Sequence, residues 1–142
     1  MESLKFESSY KEYSINGDES KVIRINTTDF AIFDRLKKAM KQIDDIAKEY
    51  ENVTPKTDDE ANDLFVSADK KVREQINYIF DSDVSTVAFG NANCFTVVLS
   101  NMQPLFYNFL NAIVPVIKKD LEKVMSKSNK NVSKYTSQLK WW

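Results

Sequence analysis

Few residues in this chain are of types that could do chemistry, and their spacing suits it poorly. Histidine is absent, which removes the commonest general base, nucleophile activator and metal ligand. The single cysteine, Cys94, lies in an apolar stretch with Phe95, Val97 and Val98. Such surroundings raise a thiol pKa, so Cys94 reads as a buried structural thiol. Asp81-x-Asp83 has the opening spacing of a calcium loop. Its sixth position, however, is Thr86 where glycine is needed, and its twelfth is Ala92 where a bidentate glutamate is needed. The two acids read instead as helix caps. Asp44-Asp45 and Asp58-Asp59-Glu60 are adjacent carboxylates, but neighbours on a helix point in different directions, so they read as solvated charge. Gly17 and Gly90 stand alone, which leaves no phosphate-binding loop. No catalytic, metal-binding or cofactor-binding residue is assigned. The chain reads as not an enzyme, with no cofactor and no small-molecule substrate expected.

A cluster near the end remains: Lys127, Lys130, Lys134, Tyr135, Lys140, Trp141 and Trp142. It combines cations with stacking rings, as nucleic-acid binding requires. A pI near 5.6 argues against that partner for the chain as a whole. Trp141 and Trp142 are the only tryptophans, and tryptophan is a typical interface anchor. Folding back onto their own domain and docking on a partner both stay open for them.

From Val84 to Ile117 there is no charged residue, a run of 34 positions in a chain that is 29% charged. A membrane span, a dominant core element or a buried interface could cause this. A spanning helix needs about 20 predominantly apolar residues. This run is cut by Gly90, Asn91, Asn93, Ser100, Asn101, Gln103, Pro104, Asn108 and Asn111, and such amides are costly in hydrocarbon. The opening MESLKFESS lacks the apolar core of a signal peptide. The expectation is a cytoplasmic protein without a membrane segment.

At 142 residues, 42% apolar, the chain reads as one domain over 1–125 followed by a flexible basic tail over 126–142. Two glycines and three prolines mean few tight turns and long regular elements. One cysteine cannot close an internal disulfide. Residues 1–83 hold 13 Lys/Arg against 19 Asp/Glu, whereas residues 118–142 hold seven lysines against Asp120 and Glu122. This polarity suits head-to-tail self-association or docking on an acidic partner. The plainer reading is a solvated basic helix end and a loose tail.

The elements that must position these residues are mainly helical. Residues 3–27 read as a β-hairpin around the turn signal Asn16-Gly17-Asp18. Leu4, Phe6 and Tyr10 alternate along its first strand, and the shifted parity of Tyr13 and Ile15 points to a bulge or bend near Lys11. About four helices follow, over 29–51, 58–80, 83–90 and 103–126. The first carries Phe33, Leu36, Met40, Ile43, Ala47 and Tyr50 at 3-4 spacing. The second opens on the capping box Thr57-x-x-Glu60 and should pack antiparallel to the first. Residues 92–100 are ambiguous between helix and strand, with a short helix favoured. In the fourth helix, Pro104 suits the first turn and Pro115 should kink the run. Phe106, Phe109, Leu110, Ile113, Ile117, Leu121 and Val124 mark its inner face. Leu105, Tyr107, Val114 and Val116 are apolar on its other faces, and are the expected subunit or client contact together with Trp141 and Trp142.

Several stretches carry a family likeness. The hairpin Tyr13-Ser14-Ile15-Asn16-Gly17-Asp18 leads to Thr28-Asp29-Phe30-x-x-Phe33-x-Arg35-Leu36 at a helix start. Later come Phe89-Gly90-x-x-x-Cys94-Phe95 and Ile113-Val114-Pro115-Val116-Ile117-Lys118-Lys119. Over most of residues 5–125 the chain resembles the tail assembly chaperone type of small proteins from phages and prophages of Gram-positive bacteria. The resemblance implies a mostly helical, self-associating protein that coats apolar helical segments of a tape-measure-type partner during tail assembly. It carries over no catalytic residue, and the Lys-rich end with its two tryptophans has no counterpart in it. A structural tail component or adaptor retained in the particle, and a small regulatory or inhibitory binding protein, are the alternatives.

Overall fold

A computed structural model describes residues 1–128 and shows a mainly α protein with an N-terminal hairpin. The hairpin pairs β1 (Lys11–Ile15) with β2 (Asp18–Ile25) antiparallel. Its turn is Asn16-Gly17, both at positive φ (50° and 78°), the backbone a two-residue hairpin loop needs. The ladder sets Tyr13 opposite Ile23 and Lys11 opposite Ile25. Ile23 and Ile25 are buried and Tyr13 and Ile15 half-buried, so one face of the ribbon lies on the helices.

Two expectations for this region are corrected. The irregularity in the ladder lies between Ser14 and Ile15, not near Lys11. Residues 1–10 form no strand, and Leu4 and Phe6 stay 91% and 84% exposed. The cause is a missing mate: β2 ends at Ile25, and Asn26 turns the chain into the first helix by accepting hydrogen bonds from the Thr28 and Asp29 amides. Only Tyr10 of this segment is held, with the Arg24 guanidinium 4.4 Å above its ring.

Helix α1 (Phe30–Asn52) is capped by Asp29, whose carboxylate accepts from the Ala31 amide at 2.8 Å. Helix α2 (Asp58–Phe80) is capped by Thr57, which accepts from the Glu60 amide at 3.1 Å. Glu60 reaches back one residue further than in the standard box, to the Lys56 amide. The two helices run antiparallel. Arg35 near the start of α1 donates to the Ile79 carbonyl near the end of α2, and Tyr50 and Phe65 stack at 6.1 Å at the other end.

The short helix α3 (Val84–Phe89) starts on the Asp83 cap and stops at Gly90, at φ 57° and ψ −130°, a conformation only glycine adopts freely. Residues 92–100 are not a helix. They form a loop and then β3 (Val97–Val98), which pairs with β4 (Gln103–Pro104). β-branched Thr96, Val97 and Val98 favour extended backbone, and the Asn93 side chain turns the loop by accepting from the Phe95 amide. The loop also caps helix α4 (Leu105–Ser128): the carbonyls of Thr96 and Cys94 accept from the Leu105 and Phe106 amides. Pro104 thus precedes α4 and does not lie in its first turn.

Every helix and β2 contribute to one buried core. Ring contacts extend through it, from Tyr50 to Phe95 at 4.6 Å and from Phe95 to Phe106 at 5.0 Å. Phe109 meets the rings of Phe80 and Phe89 edge-on. The fourth helix passes through Pro115 as one element, with the proline itself exposed.

Candidate functional site

The hairpin does not close fully onto α4. Between them, with α3 at one end, lies a groove of about 300 Å³. Leu105, Phe109, Ala112 and Val116 supply its α4 wall, and their spacing of 4, 3 and 4 residues is one helical stripe. Consecutive β1 residues Tyr13, Ser14 and Ile15 supply the opposite wall, while Phe89 closes the end. No charged residue lines the groove. Its few polar side chains are Tyr13, Ser14, Asn16 and Asn108, so it can bind apolar groups with little hydrogen-bonding discrimination.

The neutral run from Val84 to Ile117 therefore resolves into core, groove and an exposed turn around Leu99 and Met102. Leu105 and Val116, both half-buried, are brought together on the groove wall. Val114 is corrected: it is 0% exposed and belongs to the core. Val114 stands four residues after Leu110 and three before Ile117, so the buried face of α4 is wider than its main stripe and takes in Val114. Tyr107 is half-buried and is not part of the groove lining. Trp141 and Trp142, with the basic tail beyond Ser128, lie outside the described residues.

A second uncharged surface was not anticipated. The β3–β4 turn lifts Leu99 and Met102 into solvent, Leu99 to 84% exposure, and Met102 is held at φ 56°. The signal was present in the sequence as β-branched residues followed by Ser100-Asn101, which is turn chemistry.

Two polar clusters hold the walls of the groove. Asp120 on α4 accepts a hydrogen bond from the buried Thr27 hydroxyl and pairs with Lys11 Nζ at 3.1 Å. Burial would push the Asp120 carboxyl up, but the hydrogen bonds from Thr27 and Lys11 outweigh it and hold the group below its usual range. On α2, Asp69 and Arg73 form an i,i+4 pair at 3.0 Å. Asp69 also accepts from the Cys94 amide at 2.8 Å, and Arg73 donates to the carbonyls of Gly90 and Ala92. Here too burial acts to raise the Asp69 pKa and is outweighed, by the Cys94 amide and then Arg73. This pair clamps the loop leading to α4. The i,i+4 spacing in the sequence was the available sign of it.

Cys94 is buried, and its thiol donates to the Asp69 carbonyl. Burial and the nearby Asp69 push its pKa far up. Among the described residues, no group of three or more acidic or cysteine side chains is placed to hold a metal ion. No described helix is long and apolar enough to cross a membrane. No protein-family model, curated protein or solved structure matches the chain.

Proposed function

We propose that this protein is a non-enzymatic assembly factor of the phage tail assembly chaperone type, which self-associates and shields apolar helical segments of a tape-measure-type partner in the host cytoplasm. The observation that carries the reading is the uncharged groove beside α4. Its wall, Leu105, Phe109, Ala112 and Val116, offers an apolar stripe at the spacing an incoming helix can match. Backbone and amide groups at the rim tolerate varied apolar sequences, as a coat along a long client requires. The exposed Leu99 and Met102 extend the apolar surface available to a partner. The resemblance noted in the sequence supplies the class of client.

Co-expression with a tape-measure-type protein tests this reading. The chain is expected to keep that protein soluble and to co-purify with it, and Val116→Asp is expected to weaken the complex without unfolding the chain. A tape-measure protein that precipitates equally with and without the chain overturns the proposal. Recovery of the chain in fixed ratio from purified particles would favour the retained structural component instead.

A further inference from the structure

The groove and the N-terminal segment are two unmatched apolar features of one chain. Leu4 and Phe6 stand at alternate positions, separated by Lys5 and followed by Glu7, and are almost fully exposed. This is a strand pattern without a strand partner. β1 is bonded to β2 on one side only, which leaves its other edge open. Three consecutive β1 residues line the groove, so the groove runs alongside β1.

We propose that the groove is occupied by residues 3–10 of a second copy of this chain, added as a strand beside β1 with Leu4 and Phe6 inserted against α4. The proposal rests on the self-association part of the function proposed above, not on the identity of the client. Charge fits, since Lys5 and Glu7 leave residues 3–10 without net charge and no charge lines the groove. Geometry favours the second copy over the chain's own arm. The arm leaves β1 at Lys11, beside Asp120, whereas the groove extends toward Asn16, Leu105 and Asn108. Asp120 and Leu105 are about 22 Å apart along the helix at 1.5 Å per residue. The near end of the groove, at Val116, is one helical turn from Asp120, so the chain's own arm would have to reverse at Lys11 to enter it and run on toward Leu105. Lys5 to Lys11 contains no Gly, Pro, Asn or Asp, and its turn formers are Ser8 and Ser9, which favour a tight reversal more weakly. A neighbour's arm needs no reversal. Exchange in both directions closes a two-fold dimer with two identical contacts. A client entering the groove must then displace the arm, which couples client capture to release of the dimer.

The test uses the full chain. Light scattering should show an oligomer, and Leu4→Glu with Phe6→Glu should raise its dissociation constant about a hundredfold or more, as loss of two buried anchors implies, with far-ultraviolet circular dichroism unchanged and the same melting transition at concentrations where both proteins are monomeric. Chains carrying Phe6→Cys mixed with chains carrying Ala112→Cys should form a mixed disulfide dimer under mild oxidation. The unsubstituted chain serves as the blank, because Cys94 is buried. An oligomer that survives the glutamate pair and gives no mixed dimer overturns the arm contact while leaving self-association intact. A monomer at high micromolar concentration overturns both. A Phe6→Cys/Ala112→Cys double variant that closes only within one chain assigns the groove to its own arm and overturns the proposal. Client capture is read separately, in the co-expression assay.

Discussion

Lys11 Nζ and Asp120 Oδ2 meet at 3.1 Å across 109 positions of sequence, tying the first residue of β1 to α4. The same carboxylate accepts from Thr27, which leads from β2 into α1 and is fully buried. One acid therefore fastens both ends of the hairpin to the helix that forms one wall of the groove.

Asp120→Ala is expected to destabilise the fold by about 1–3 kcal/mol, because it leaves the buried Thr27 hydroxyl without its acceptor. The folded-state pKa of Asp120 lies below its unfolded value. Its contribution is therefore present above the unfolded pKa and is lost as pH falls through the folded one. Urea midpoints at neutral and strongly acid pH check this: the gap between the natural chain and the variant should narrow on acidification.

Arg73→Ala is expected to cost about 2–3 kcal/mol, since it strips the Gly90 and Ala92 carbonyls of their donor and leaves Asp69 without its cation. Arg73→Lys should recover only part of this. An ammonium lacks the planar fork that serves a carboxylate and two carbonyls together. Chemical denaturation of the three proteins gives the ranking.

Val114 and Val116 separate folding from binding. Val114→Glu buries a charge in the core and should unfold the chain or cost roughly 3–5 kcal/mol. Val116→Glu places its charge on the half-buried groove wall and should leave the melting transition within about 1 kcal/mol of its original stability. Thermal melts of the two variants decide the assignment.

Cys94 should resist thiol reagents in the folded protein at neutral pH and react fully in denaturant. Burial removes both access and thiolate, the species that reacts. Rapid labelling of the native chain would place the thiol at the surface.

The sequence made the helices legible because their signals are local. Asp29, Thr57 and Asp83 cap where their types and positions suggest, and apolar spacing identifies Leu36, Met40 and Ile43 as inward-facing. It was misleading where the outcome depends on a distant partner. Leu4, Phe6 and Tyr10 alternate as a strand should, but β2 turns away at Asn26 and supplies no mate. Val114 stands outside the main stripe of α4, yet it borders Leu110 and Ile117 on the helix surface and is fully buried with them. The helical surroundings of residues 92–100 favour a helix, yet Thr96-Val97-Val98 follows its own β-branched preference. Half of the groove was visible as an uncharged run. The other half is β1, whose position depends on Asp120, an acid that the sequence gives no reason to single out.

The two ends of the hairpin are held by different kinds of force. Near Lys11 and Thr27 it is pinned by directional polar bonds to Asp120, which tolerate little displacement. Near Asn16 it faces α4 across an apolar gap, where contacts are non-directional and can slide. The ribbon is thus set by direction at one end and by buried apolar area at the other, so acid, which protonates Asp120, weakens the first and spares the second.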